Sequence, residues 1–370
     1  MVFIEPTPYV LDLLEKGFDN LNKIGDVVFL KQNFSQNWNL QSRLSKYFVS
    51  LSIIQIAKLY IDIFFKRKYS LVHVAGWSNP HILFLILASR LFFYPVTVES
   101  DTQFNQNISR WKKIIKKGLY PILFKFPKYF LPGGIRQEKY LVHYGVNPKK
   151  IIHAQMTVNV EYIQGYIKKI ASVDREKLRT SYDIGKNDVV FLFVGRLLNW
   201  KGIRELIDAF KLIDKPNAKL WIVGNGDLAE EVKISSEKNT KIKYLGRIGD
   251  DRLWNVYHAA DVFVIPSHHE PWGLVVNEAM AVGLPIIATD NVGCVDDLIL
   301  QNREGLVIRP KDIVALTEAM HFMLSNPEKR VQMSNNAACT IQSWTLKNEA
   351  GNMMTAWKAV MMEKCRRAYS

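Results

Sequence analysis

The sequence predicts an α/β fold of two Rossmann-like domains, each a doubly wound parallel sheet, facing each other across a cleft. Three observations lead there. The second half alternates short apolar runs with segments of helical spacing, the pattern of a parallel sheet with helices on both faces. Those runs are apolar throughout rather than every second residue, as in strands buried on both sides. Finally, 370 residues with 48% hydrophobic content supply core for two domains at roughly 100–200 residues each.

Taken in order, residues 188–195 (Asp-Val-Val-Phe-Leu-Phe-Val-Gly) form the first run, and their terminal glycine ends the strand. Residues 202–213 follow, with apolar side chains at 203, 206, 207, 210 and 213, the spacing of one helix face. Strand 219–224, helix 227–237 and strand 242–246 come next. Acids open a helix over 250–260; 261–266 reads as a strand, 274–282 as a helix, 284–289 as a strand and 305–308 as a last short strand. In the first half, 2–4, 26–30, 71–74 and 96–99 read as strands joined by long helices, with 129–132 and 151–153 as two more. The hinge is expected between 158 and 187, and 344–367 reads as a helix following the last strand.

Composition excludes several classes. A chain with 23% charged and 12% aromatic residues is not disordered, collagen-like or a disulfide scaffold. Cys294, Cys339 and Cys365 are scattered without metal-ligand spacing, so a reduced, cytoplasmic protein is expected. The opening MVFIEPTPYV lacks the basic region of a secretory signal. The most apolar stretch, 82–98, contains Arg90 and Pro95 and falls short of the roughly 20 clean residues of a membrane span. The net charge of +14 sits in the first half: residues 1–180 hold 26 Lys+Arg against 12 Asp+Glu, and residues 181–370 hold 23 of each. Such asymmetry points to an anionic partner, a membrane surface, a phosphorylated acceptor or nucleic acid, or else it only aids solubility. No nucleic-acid-binding motif accompanies the charge, so nucleic acid is not expected.

Ligands of open α/β sheets bind beyond the carboxyl ends of the strands, and with two domains the expected place is the cleft between them. At the end of strand 188–195 stand Gly195-Arg196 and then Asn199-Trp200-Lys201-Gly202, just before a helix. Two cations around a glycine-bordered turn suit a phosphate or diphosphate, though a solvated basic loop has the same composition. More specific is Ser267-His-His-Glu-Pro-Trp-Gly-Leu-Val-Val-Asn-Glu278. It sets Glu270 in a strand-to-helix loop, Gly273-Leu274 at the helix start and Glu278 about one turn inside. Helix-start amides favour an anion, and carboxylates on either side suit hydroxyl groups. A ligand with diphosphate in the middle and sugars at both ends has that form.

At this point the chain resembles a known family. Glu270 to Glu278 matches the E-x7-E signature of the retaining GT-B glycosyltransferases of family 4. Val194-Gly-Arg-Leu197 with Lys201-Gly202 is similar to that family's "GRL…KG" element, and Ile222-Val-Gly-Asn-Gly226, Tyr244-Leu-Gly246, Ala260-Asp261-Val262, Glu278-Ala-Met-Ala-Val-Gly283 and Pro285-Ile-Ile-Ala-Thr289 follow in the family's order. The likeness is close over about residues 188–319. It implies that Arg196 and Lys201 neutralise the donor diphosphate, that Glu270 holds hydroxyls of the transferred sugar, that amides of Trp272, Gly273 and Leu274 touch sugar or phosphate, and that Glu278 binds the donor ribose. It also implies retention of anomeric configuration, no cofactor, no metal and a terminal helix that crosses back. The domains are then 1–170 for the acceptor, 171–345 for the nucleotide sugar and 346–370 for the returning helix. Glycosidase logic would instead make Glu270 a nucleophile.

The first half departs from the family. Its first strand is followed by Glu5-Pro-Thr-Pro-Tyr9 instead of a glycine-rich loop, and Glu99-Ser100-Asp101 stands where many members have a histidine. Glu99 or Asp101 could act as a weak base toward an acceptor hydroxyl; a helix-capping Asp101 is the alternative. His73 and His81 are expected to be structural, and His268 and His269 lie near the donor site without a metal-ligand pattern. Two stretches, 43–68 and Arg110-Trp111-Lys112-Lys113 through Lys116-Lys117, mix cations with aromatic and aliphatic residues, as an interfacial helix on anionic lipid does; an amphipathic helix packing on its own sheet is the alternative and accounts for much of the first stretch. The reading is a peripheral hexosyltransferase on the inner face of the cell membrane, acting on a lipid-linked or polysaccharide acceptor. The alternatives are an epimerase or phosphorylase of the same fold, or a non-catalytic sugar-nucleotide-binding scaffold.

Overall fold

A computed structural model describes residues 1–31, 41–44, 47–49, 52–105, 108–170, 175–249 and 251–368. The chain divides into two compact units, Met1–Val158 with Leu346–Ser370, and Asn159–Thr345. The division falls at 158/159 rather than at the expected 170/171. Its cause is the helix Val160–Ile170, which packs on the helices Arg252–Ala259 and Leu274–Val282 of the second unit. The expected start of one of these helices, Asp250, lies outside the described residues.

The first unit holds β1 (Val2–Phe3), β2 (Val28–Phe29), β3 (Phe48–Val49), β4 (Val72–Ala75), β5 (Val96–Ser100) and β6 (Tyr129–Pro132). The second holds β7 (Val189–Val194), β8 (Ala218–Val223), β9 (Ile242–Gly246), β10 (Val262–Ile265), β11 (Ile286–Thr289) and β12 (Gly305–Ile308). Each set forms one parallel sheet, ordered β3-β2-β1-β4-β5-β6 and β12-β11-β10-β7-β8-β9. Numbered from its own first strand, each sheet has the order 3-2-1-4-5-6, which reverses between strands one and four and opens a crevice at their carboxyl ends. In the second unit those strands are β7 and β10, paired Val262 to Phe191 and Phe263 to Leu192.

The apolar runs became strands because both faces are covered. Phe191, Phe193, Leu220, Ile222, Val262 and Val264 are buried in one core with Leu206, Phe210 and Met320 from the helices, each such burial contributing about 1.5–3 kcal/mol. At the amino edge the buried guanidinium of Arg179 pairs with Asp261 at 2.9 Å, and Asp261 accepts from the Val190 amide at 2.8 Å. That network ties β7 to β10 and aligns their carboxyl ends.

Two expectations in the first unit are corrected. Residues 151–153 form no strand; Ile151 makes a single bridge to Phe130. A short strand, β3, lies within 43–68, ahead of the helix Ile53–Phe64, whose start is closed by a reciprocal Ser52–Gln55 cap. No glycine loop is needed after β1, because Thr7 caps the helix Pro8–Asp12 by accepting from the Val10 amide at 3.3 Å. The terminal helix Leu346–Ala368 packs in the first unit: Leu346, Ala350, Met353 and Trp357, at helical spacing, meet Leu13, Phe18 and Leu131. The Phe18 and Trp357 rings stack at 5.6 Å. Among the described residues no helix is long and apolar enough to cross a membrane.

Candidate functional site

The loops leaving β7 and β10 meet at the crevice of the second sheet. After β7 come Gly195, the exposed Arg196 and a single 3-10 turn, Asn199–Lys201. Gly202 then takes φ +71°, and a Cβ there would stand 2.1 Å from the Pro266 carbonyl oxygen. Only glycine therefore lets the two loops touch backbone to backbone. The His268 amide donates to the Trp200 carbonyl at 2.8 Å, and the His268 ring bonds Glu205 at 2.9 Å. Across this contact the Lys201 ammonium and the Glu270 carboxylate form an ion pair, both side chains mostly buried. Glu270 is fixed by its backbone as well: its amide donates to the Asn291 carbonyl at 3.2 Å, and its carbonyl accepts from Gly293 at 2.9 Å. Residues 291–293 follow β11, so three consecutive strand ends build one site.

Beyond Glu270 the chain enters the helix Leu274–Val282 through Gly273 at φ +102°, an N-cap residue with no side chain of its own to close the helix. Its positive end is thus offered at the crevice. Glu278 lies just over a turn along, 5% exposed, and accepts a 2.8 Å hydrogen bond from the Tyr257 hydroxyl. The indole of Trp272 is 2% exposed, donates to Asn277 Oδ1 at 3.1 Å and packs 5.5 Å from Trp344. It is a packed aromatic, so any ligand contact at this position falls to its backbone. Burial, outweighing Glu270 and assisted by Lys201, holds the His269 imidazole below its usual range and so neutral. A cation, a paired carboxylate, helix amides and an interior carboxylate together match a polyanion flanked by hydroxyls.

Neither Tyr257 nor the loop 290–293 stands out in the sequence. The strand-end rule applied to 284–289 would have flagged the loop, whereas Tyr257 carries no signal, being one aromatic in an ordinary amphipathic helix.

In the first unit the acidic cluster is split. The Glu99 carboxylate turns to the buried His73, Nε2 to Oε2 at 3.2 Å, while His73 Nδ1 meets Thr97 Oγ1 at 2.9 Å. Asp101 is exposed, and the next helix along the chain, Arg110–Leu123, starts after Ser109 rather than after Asp101. A residue unseen from sequence, Glu349 of the terminal helix, is buried here. Burial, with repulsion from Glu99, raises its carboxyl well above the usual range, against a backbone hydrogen bond from Thr157.

The helix Arg110–Leu123 buries none of its residues. Trp111, Ile114, Ile115, Leu119 and Ile122, on one helical stripe, are all exposed, Trp111 by 60% and Ile114 by 71%. Arg110, Lys112, Lys113 and Lys117 are exposed beside them. Lys116 departs from that group: it bonds the Tyr140 hydroxyl at 3.2 Å and lies over the Tyr120 and Tyr140 rings, and burial and Lys112 pull its ammonium below the usual range.

Comparison with known proteins agrees with this architecture. Residues 174–339 match the sequence model of the family described as glycosyl transferases group 1. An uncharacterized glycosyltransferase of Methanocaldococcus jannaschii is 33% identical over 51% of this chain and 49% of its own length. The N,N'-diacetylbacillosaminyl-diphospho-undecaprenol alpha-1,3-N-acetylgalactosaminyltransferase of Campylobacter jejuni is 26% identical over 71% of this chain and 67% of its own. The chain thus spans about half the length of the first relative. The crystal structure of Anabaena HepE in complex with UDP superposes with a TM-score of 0.76 over 97% of this chain and 99% of that one, at 16% identity. The chain therefore has the two-domain GT-B fold, and its residues 174–339 match the group 1 glycosyl transferases.

Proposed function

We propose that this protein is a retaining, metal-independent glycosyltransferase of family 4, transferring a hexose from a nucleoside-diphosphate sugar to a glycan or lipid-linked acceptor. The observation that carries the proposal is the meeting of Lys201, Glu270 and the amino end of the Leu274–Val282 helix at the β7/β10 crevice. UDP is the favoured nucleotide, since HepE of the same fold is named for its UDP complex. In the reaction the sugar–phosphate C–O bond breaks and negative charge grows on the departing diphosphate. Arg196, Lys201 and the helix amides would meet that charge with dipoles already in place. Glu270, held from both sides, would then orient sugar hydroxyls while sharing Lys201 with the phosphate. Glu278 would take the ribose. In the first unit Glu99, positioned by His73, is the acidic group at a strand end that would face an acceptor hydroxyl.

We further propose that the Arg110–Leu123 helix rests on an anionic membrane, where a lipid-linked acceptor is found; the undecaprenol in the name of the Campylobacter relative supports that acceptor class. An exposed apolar stripe flanked by cations is the build of an interfacial helix. In sedimentation with vesicles containing phosphatidylglycerol, Ile114→Ser with Ile115→Ser should lower binding about tenfold or more; unchanged binding would end that part of the reading.

The test of transfer is release of UDP from a panel of UDP-sugars, with and without extracted lipid-linked acceptors. Turnover should require the acceptor and fall at least a hundredfold in Glu270→Ala. Conversion of the donor alone to another sugar nucleotide would instead indicate an epimerase, and binding without turnover under any acceptor would indicate a scaffold.

A further inference from the structure

Two cavities lie side by side at the amino edge of the first unit's sheet, the opposite end from the crevice that such sheets use for ligands. One, of about 720 Å³, adjoins the starts of β1, β2 and β4 and the terminal helix; Leu59, Ile63, Leu71, Met354, Trp357 and Met361 give it an apolar wall. The second, of about 560 Å³, adjoins the starts of β5 and β6. Six cations line it, Arg67, Arg90, Lys125, Lys128, Lys150 and Lys364, against a single carboxylate, Glu363. Tyr69 lines both cavities, so they are neighbours.

The charge is not balanced from within. Glu363 pairs with Lys128 at 3.4 Å and also accepts from the Tyr129 hydroxyl at 3.3 Å. Burial, with Lys128 beside it and against the attraction of Glu363, pulls the Lys150 ammonium below its usual range, as expected of a cation crowded by another in a partly dry recess. Arg67 is steadied by the Phe92 carbonyl at 3.3 Å, and Arg90 lies over the ring of Phe93, an exposed residue at the cavity's rim. An anion would relieve this crowding. Alone, the apolar cavity suits any hydrophobe and the cationic one any phosphate; their junction at Tyr69 asks for both in one molecule.

We propose that the paired cavities bind an anionic phospholipid, its phosphate held among the six cations and an acyl chain along the methionine-lined wall. The proposal is independent of the glycosyl-transfer reading, and no residue of the Arg110–Leu123 helix lines either cavity.

The test is calorimetric binding of dihexanoyl phosphatidylglycerol, soluble as a monomer, to the full chain. Binding should saturate, weaken about thirtyfold in Lys125→Gln with Lys150→Gln, at about fivefold per cation near an anionic headgroup, and weaken also in Met361→Gln. Arg90→Gln, at the exposed rim, should act in the same direction. Equal affinity in the double variant, or for dihexanoyl phosphatidylcholine, would overturn the role of charge. Equal affinity for glycerol phosphate would overturn the lipid in favour of a free phosphate. Displacement by UDP would place the lipid in the second unit and refute the assignment, whereas loss of UDP binding alone would bear only on the donor site.

Discussion

Replacing Glu278 by glutamine separates packing from ligand binding. The carboxylate is buried and accepts the Tyr257 hydroxyl at 2.8 Å. The amide keeps an acceptor for Tyr257 but loses the charge. A hydrogen bond to a charged group is worth about 1.5–3 kcal/mol and a neutral one about 1 kcal/mol. The fold should therefore lose about 1 kcal/mol, a fall in Tm of about 2–4 °C for a unit of this size. If the same carboxylate receives two ribose hydroxyls, the loss of charge costs UDP binding about 2 kcal/mol, close to thirtyfold in Kd. Tyr257→Phe is the complement. It leaves the carboxylate one donor short, so its larger effect, about 4–8 °C for about 2 kcal/mol, should fall on Tm, with a smaller change in UDP affinity. Thermal unfolding and calorimetry with UDP, run on both variants, read the two quantities. UDP affinity unchanged in Glu278→Gln, alongside a lower Tm, would make Glu278 a packing residue and refute the ribose assignment.

The loop junction and the buried acid give two more expectations. Gly202→Ala places a side chain at φ +71° and drives a Cβ into the Pro266 carbonyl; the backbone conformation alone costs about 1–2 kcal/mol, so a thermal scan should show a clear drop in Tm, and UDP binding should fall as the loops part. Glu349 binds its proton more tightly in the folded state than in the unfolded chain. Its contribution is therefore full at low pH and is lost as pH rises from the ordinary carboxylate range through the raised value. Glu349→Gln should flatten that decline and raise Tm at pH 8 relative to the parent; an unchanged Tm–pH profile would show Glu349 to be ordinary.

The second sheet was legible because its strands are covered on both faces. Runs such as 188–195 are apolar without interruption, and the helix Leu274–Val282 appears with the bounds read from its spacing. The meeting of Lys201, Glu270 and the Leu274–Val282 helix start was legible for a related reason: strand ends, glycines and charges stand close together in sequence. The first unit resisted. Strands as short as Val28–Phe29 and Phe48–Val49 carry too few residues for a period, and β3 is embedded among cations and aromatics that read as helix. Its buried groups are joined over long separations, Glu349 to Glu99 and Trp357 to His73, and no local pattern encodes such meetings. Lys116 shows the same limit at smaller scale, since composition placed it with its neighbours while Tyr140, from another helix, drew it inward.

The place of the terminal helix bears on how the protein is made. Leu346, Met353 and Trp357 complete a core begun by Leu13 and Phe18, so residues 1–158 leave the ribosome with an apolar face open until the last helix follows. Residues 159–345 form a unit of their own, built around a core drawn wholly from within them, and can close first. The second unit is thus complete in sequence before the first. A chain stopped near residue 345 would carry a finished middle and a sticky beginning, and would be a natural client for chaperones.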